Sequence, residues 1–117
     1  MIEVKTSLSE FINSKLKVSW ISPEGLHVYV RKSQRVLPIT AKVVYCLDIA
    51  NVSADVRNRG TFTRWLSESI ETATKAEFDA IYVESVLTER FANYFRRLNW
   101  IESSHEIPCF FLVLEKS

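Results

Sequence analysis

The 117-residue chain carries 15 Lys and Arg against 14 Asp and Glu, with 47% hydrophobic residues and only two glycines. This composition predicts one domain with its own core, and it excludes intrinsic disorder, low-complexity repeats and a collagen-like chain. A formal charge of +1 also argues against a dedicated duplex-DNA binder, which normally carries a large cationic surplus, and makes a nucleic-acid partner an unfavoured expectation.

Ser7-Leu8-Ser9-Glu10 has the capping-box pattern, and Leu8, Phe11, Ile12 and Leu16 follow at helical spacing, which predicts a first helix from about Leu8 to Lys17. Val18-Ser19-Trp20-Ile21 and Leu26-His27-Val28-Tyr29-Val30-Arg31 read as strands around the turn Ser22-Pro23-Glu24-Gly25. Lys32-Ser33-Gln34-Arg35 is polar enough to read as a hairpin connection before the short segment Val36-Leu37. The most apolar stretch, Lys42 to Val52, is long and β-branched enough for a central strand covered on both faces.

A helix is expected after Gly60, because Phe62, Trp65, Leu66, Ser69, Ile70 and Ala73 share one face. Ala80 to Val86 reads as another buried strand, followed by a helix from Thr88 to Leu98. Trp100-Ile101-Glu102-Ser103 and Cys109 to Leu114 close the chain as two strands. The expected fold class is therefore α/β, a mixed sheet with helices on its faces.

Cys46 and Cys109 lie inside apolar runs without the spacing of a zinc site or a C-x-x-C redox motif, so they read as buried thiols. No apolar run approaches the roughly 20 residues of a membrane helix, and Met1 to Thr6 lacks the apolar region of a signal peptide; the expectation is a cytoplasmic protein without a membrane partner. His27 and His105 stand apart from each other and from any metal-ligating cluster, so no metal is expected.

Of the two glycines, Gly25 is accounted for by a turn, whereas Gly60 stands at a strand-loop-helix junction. The amino terminus of a helix offers unpaired N–H groups and the positive end of its dipole, and Arg57 and Arg59 add fixed positive charge, a combination suited to phosphate. A plain solvated loop is the competing reading. Asp48 and Glu84, on the central strands, are the candidate general bases, because an ionised carboxylate there needs a reason; the alternative is that each reaches solvent or pairs with an arginine.

The segment Asn51-Val52-Ser53-Ala54-Asp55-Val56-Arg57-Asn58-Arg59-Gly60-Thr61-Phe62 resembles the coenzyme A-binding signature Q/R-x-x-G-x-G/A of the GCN5-related N-acetyltransferases. Ile81 to Val86, the helix after it and Asn99-Trp100 are similar to that family's next strand, helix and turn. Tyr29-Val30-Arg31-Lys32, Leu47 to Asn51 and Tyr82 to Leu87 look like the small acetyltransferase-like proteins of tailed bacteriophages, which would place the chain in a host cytoplasm.

The resemblance implies a mostly antiparallel sheet flanked by helices, acetyl-CoA as acyl donor, and transfer to a primary amine. It implies that Asn51 and Val52 line the pantetheine arm, and that Arg57, Asn58, Arg59, Gly60, Thr61 and Phe62 hold the pyrophosphate. Phe62 fills the last small-residue position of the motif, Phe95 stands where the family has a thiol-protonating tyrosine, and Asn99 replaces the turn glycine. Tyr94, adjacent to Phe95, is the remaining candidate acid, although one residue turns a helical side chain by about 100°. An inactive relative that binds a host protein partner is the alternative function, and a homodimer is a further expected assembly.

Overall fold

The computed structural model describes residues 7–21, 26–38, 40–54, 59–84, 89–103 and 107–114. Helix α1 (Leu8–Asn13) begins as expected, with Ser7 accepting a hydrogen bond from the Glu10 N–H. It is shorter than the Leu8–Lys17 span read from the periodicity. Ser14 ends it, because that residue is extended and both its N–H (3.1 Å) and its hydroxyl (2.7 Å) donate to the Phe11 carbonyl. Leu16 is consequently exposed rather than core.

Strand β1 (Val18–Ile21) pairs antiparallel with β2 (Leu26–Val36), while the turn placed at Ser22 to Gly25 lies outside the described residues. The second strand corrects the expected hairpin connection: Lys32 to Arg35 continue it without a break. Three of these four side chains find partners within the fold, and Gln34 is exposed. Lys32 Nζ donates to the Ser14 carbonyl at 2.7 Å and lies over the Phe11 ring, while Ser33 and Arg35 bond to Asp48. Polarity signals a loop only where such groups have no partner in the sheet.

Strand β3 (Val43–Ala54) pairs antiparallel with β2 on one side and parallel with β4 (Ala80–Val83) on the other, with α2 (Arg59–Lys75) as the connection between β3 and β4. Helix α3 (Glu89–Arg97) then leads to β5 (Ile101–Ser103), which pairs with β6 (Cys109–Val113). The sheet order is β1-β2-β3-β4-β6-β5, and β3–β4 is its parallel pair. Successive crossovers running the same way along a sheet place their helices on one face. The buried residues of all three helices accordingly join one cluster with Val30, Leu47, Ile49, Ile81, Val83 and Phe110.

Both long helices end in the same way. After α2, Phe78 N–H bonds to the Ala73 carbonyl and Glu77 takes φ 66°; after α3, Trp100 N–H bonds to the Phe95 carbonyl and Asn99 takes φ 63°. These are left-handed caps closed by an apolar residue. Asn99 thus adopts the conformation expected of a residue standing in for a turn glycine.

The opposite face of the sheet carries no helix among the described residues. Its apolar part is the cluster of Leu37, Val44, Cys46, Ala80, Tyr82, Cys109 and Phe111. Both thiols are buried and unpaired with each other, as the sequence suggested. Burial pushes the Cys46 thiol up to about 12, with the Asp48 charge adding to the effect, and burial also raises the Tyr82 hydroxyl. A group whose folded pKa lies above its unfolded value stabilises the fold below the unfolded pKa, and that stability is lost as pH rises through the folded one.

The melting temperature should therefore fall from about pH 8.5, where an unfolded thiol ionises, toward pH 12. Cys46 can contribute at most about 1.4 kcal/mol per pH unit. Thermal melts of wild type and Cys46→Ala across this range test the assignment. Equal slopes in the two proteins would remove Cys46 as a source.

Candidate functional site

Alternation along β2 puts Arg31, Ser33 and Arg35 on the helix-free face of the sheet. The register sets Arg31 opposite Asp48 on β3, and Asp48 in turn beside Tyr82 on β4. Glu84 follows β4 by one residue and faces the same side. Four charged side chains from three neighbouring strands therefore meet on one surface.

Asp48 is fully buried. An ionised carboxylate withdrawn from water is tolerable only with several donors, and it has them. Ser33 Oγ donates at 2.8 Å, Arg35 Nε reaches both oxygens at 3.2 Å, and Arg35 Nη2 donates to Oδ2 at 2.7 Å. Arg31 Nη2 stands 3.4 Å from Oδ2 and is also ion-paired and hydrogen-bonded to Glu84. Arg35 stacks on the Tyr82 ring with its guanidinium carbon 4.0 Å from the centroid. The structure thus brings the two candidate bases together through arginine, the alternative weighed for each of them.

Beside this cluster β3 and β4 run parallel. Their described pairs run from Cys46–Ala80 to Ile49–Val83, and the Glu84 N–H donates to the Ile49 carbonyl at 3.0 Å. The register of β3 against β2 passes from Ile49 to Asn51, leaving Ala50 as an extra residue in a bulge. Beyond the bulge, Asn51 to Ala54 pair with β2. The backbone of Asn51 and Val52, predicted to line a cofactor arm, therefore lies just past the last described β3–β4 pair.

Arg57 and Asn58 lie outside the described residues. Arg59, Gly60, Thr61 and Phe62 form the first turn of α2 rather than a loop before it. Gly60 is exposed, its φ is not positive, and a Cβ at that position would meet no atom within 4 Å. Nothing within the described fold demands glycine there, although glycine in a helix costs about 1 kcal/mol relative to alanine. Phe62 turns its ring into the core against Phe91 (5.1 Å) and Trp65 (6.1 Å), which leaves its backbone as the part able to face a ligand.

Tyr94 lies on the helix side of the sheet, packed against Phe62 and Phe95, with its hydroxyl 3.4 Å from Thr63 Oγ1. Phe95 is fully buried between Phe91, Trp100 and Phe110. His27 is an exposed residue of β2 opposite Ser53, and His105 lies outside the described residues. Among the described residues, no group of three or more His, Cys, Asp and Glu could hold a metal ion, and no helix is long and apolar enough to cross a membrane.

Arg31, Ser33 and Arg35 are the site residues that the sequence reading missed. The alternation from Leu26 to Arg31 marks a strand, but Lys32 and Gln34 are polar as well, so spacing alone does not single out the face of Ser33 and Arg35.

No protein-family model matches the sequence, and no curated protein matches it. Solved structures do match in fold. The toxin AtaT, as a tyrosine-to-phenylalanine mutant bound to the C-terminus of the antitoxin AtaR and acetyl-CoA, aligns with a TM-score of 0.59 at 16% identity. That alignment covers 75% of this chain and 57% of AtaT, so the chain spans less than two thirds of that protein's length. A tyrosine-to-phenylalanine mutant of KacT aligns with a TM-score of 0.62 at 14% identity, covering 88% of this chain and 79% of its own. A mutant of the BH1408 protein of Bacillus halodurans aligns at 0.55 and 18%, covering 85% and 70%. The fold is thus GNAT-like, a six-stranded, mostly antiparallel sheet flanked by helices.

Proposed function

We propose that the chain is an acyl-CoA-dependent N-acyltransferase that moves an acetyl group to a primary amine. The observation that carries this reading is the coincidence of two features that follow β3 where it runs parallel to β4: a bulge at Ala50 before the Asn51–Val52 backbone, and a helix first turn containing an exposed glycine without an internal role. The neighbouring AtaT structure, which holds acetyl-CoA, supports the same assignment of donor.

In this reading the N–H groups of the first turn of α2 receive the pyrophosphate, and the backbone of Asn51 and Val52 receives the pantetheine arm. Arg57, Asn58 and Arg59 supply the adjoining polar and positive groups. The amine nitrogen attacks the acyl carbonyl, the carbon–sulfur bond breaks, Glu84 accepts the amine proton, and the departing sulfur takes up a proton. Asp48 has its oxygens committed to Ser33 and Arg35, which leaves Glu84 as the carboxylate available for exchange. Tyr94, on the helix side of the sheet, is the hydroxyl assigned to return a proton to sulfur. If the chain is phage-encoded, as the resemblance of its sequence implies, this activity would operate in a host cytoplasm.

Acetyl-CoA at millimolar concentration should raise the melting temperature, because a ligand bound by the folded state stabilises that state. Gly60→Asp should abolish the shift by adding negative charge and bulk at the cradle. Gly60→Ala should fold at least as stably as wild type yet bind more weakly. An unchanged melting temperature with acetyl-CoA would defeat the reading and favour the second one, a GNAT-like scaffold that binds a protein partner. The buried phenylalanine at position 95, in place of a tyrosine, is the observation that favours that alternative.

A further inference from the structure

We infer that Arg31 is a positioning residue that fixes the Glu84 carboxylate beside the parallel pair of β3 and β4. The inference rests on the assignment of Glu84 as the proton acceptor. Its physical basis is the division of labour between two arginines. Arg35 already serves Asp48 through its Nε and Nη2, and Ser33 donates to the same carboxylate, so Asp48 is satisfied without Arg31. The 3.4 Å separation between Arg31 and Asp48 lies beyond the usual range of a strong charge-assisted hydrogen bond, whereas its contact with Glu84 is close. Asp48 thus anchors the Arg31 head electrostatically, and Arg31 gives its hydrogen bond to Glu84.

Geometry makes this a task for arginine. Arg31 lies on β2 and Glu84 follows β4, so the side chain must cross β3 to reach its partner. A planar guanidinium holds its N–H groups in fixed directions, which a lysine ammonium does not, and here Nη2 faces both carboxylates. Arg31 Nε is itself buried and has no hydrogen-bond partner in the described structure.

The contact is tested first without turnover, by the side-chain carboxyl carbon resonance of Glu84 in the full chain, assigned by its disappearance in Glu84→Gln. In wild type it should lie away from the free-glutamate position. Arg31→Gln should move it most of the way back, whereas Arg35→Gln should leave it nearly in place. A resonance unmoved by Arg31→Gln overturns the proposal.

The second test is acyl transfer from acetyl-CoA to butylamine, spermidine and a lysine peptide. Arg31→Gln should slow turnover about tenfold or more while KM for acetyl-CoA stays within about twofold, as expected when a reacting group is misplaced rather than removed. The double variant with Glu84→Gln should be no slower than Glu84→Gln alone, and multiplying losses would overturn the role. A carboxyl signal that follows Arg31 in a chain without acetyl-CoA binding would support the positioning contact and defeat the acyltransferase reading alone.

Discussion

Asp48→Ala should lower the free energy of unfolding by about 3–5 kcal/mol, a large part of the margin of a small domain. The carboxylate is fully buried and receives Ser33, both ends of the Arg35 fork and the Arg31 charge. Removing it leaves the Arg35 guanidinium without its carboxylate and Arg31 with Glu84 alone, both on one face of β2. Partial exposure of both arginines, 29% and 28% at the side chain, lets them swing toward water and sets the lower end of the range. Urea denaturation measures the effect. A loss below about 1 kcal/mol would mean that Asp48 behaves as a surface pair despite its burial.

Phe95→Ala should cost a similar amount, about 3–5 kcal/mol, by opening a cavity where α3 meets the sheet. Its ring lies 4.8 Å from Trp100, 4.9 Å from Phe91 and 5.2 Å from Phe110, measured between centroids, and it is fully buried. The more informative partner experiment is Phe95→Tyr, which restores the residue type that the family resemblance expects there. A hydroxyl buried among the rings of Phe91, Tyr94, Trp100 and Phe110 loses its hydration, so this change should also destabilise, by about 1–3 kcal/mol. A Tyr variant as stable as wild type would show that the site opens toward a polar group. Enhanced thiol release from acetyl-CoA in that variant would identify position 95 as the lost acid.

The elements that were legible in the sequence are those whose signals are local. Ser7 with Glu10 marked the start of α1, unbroken β-branched runs marked β3 and β4, and Asn99 announced its left-handed turn. The end of α1 was not legible, because Leu16 keeps the helical spacing while the Ser14 cap overrides it. Lys32 to Arg35 concealed a strand because Lys32, Ser33 and Arg35 find partners at Ser14 and Asp48, which only tertiary pairing supplies, while Gln34 faces solvent.

The site divided in the same way. Two carboxylates in apolar strands stood out as anomalies, whereas their arginine partners depend on a β2–β3 register that a one-residue slip would turn to the other face. The phosphate-loop reading is legible as a motif, but Arg57 and Asn58 fall outside the described residues. For Gly60 the structure adds what no motif could: the described fold itself does not need glycine there.

The polar cluster also has an order of assembly. Ser33 and Arg35 lie 15 and 13 residues from Asp48 along the chain, within one β2–β3 hairpin, so this half can form as soon as that hairpin closes. The bond from Arg31 to Glu84 spans 53 residues and cannot exist until the chain has passed through α2 and laid β4 beside β3. Contacts closing long loops come late in folding because their entropy must be met before they contribute. The hairpin is thus a scaffold prepared in advance, and Glu84 reaches Arg31 only once the parallel pair is docked. A chain stalled with its hairpin formed would hold Asp48 and both arginines but not the carboxylate assigned to chemistry, so completion of the site coincides with completion of the sheet.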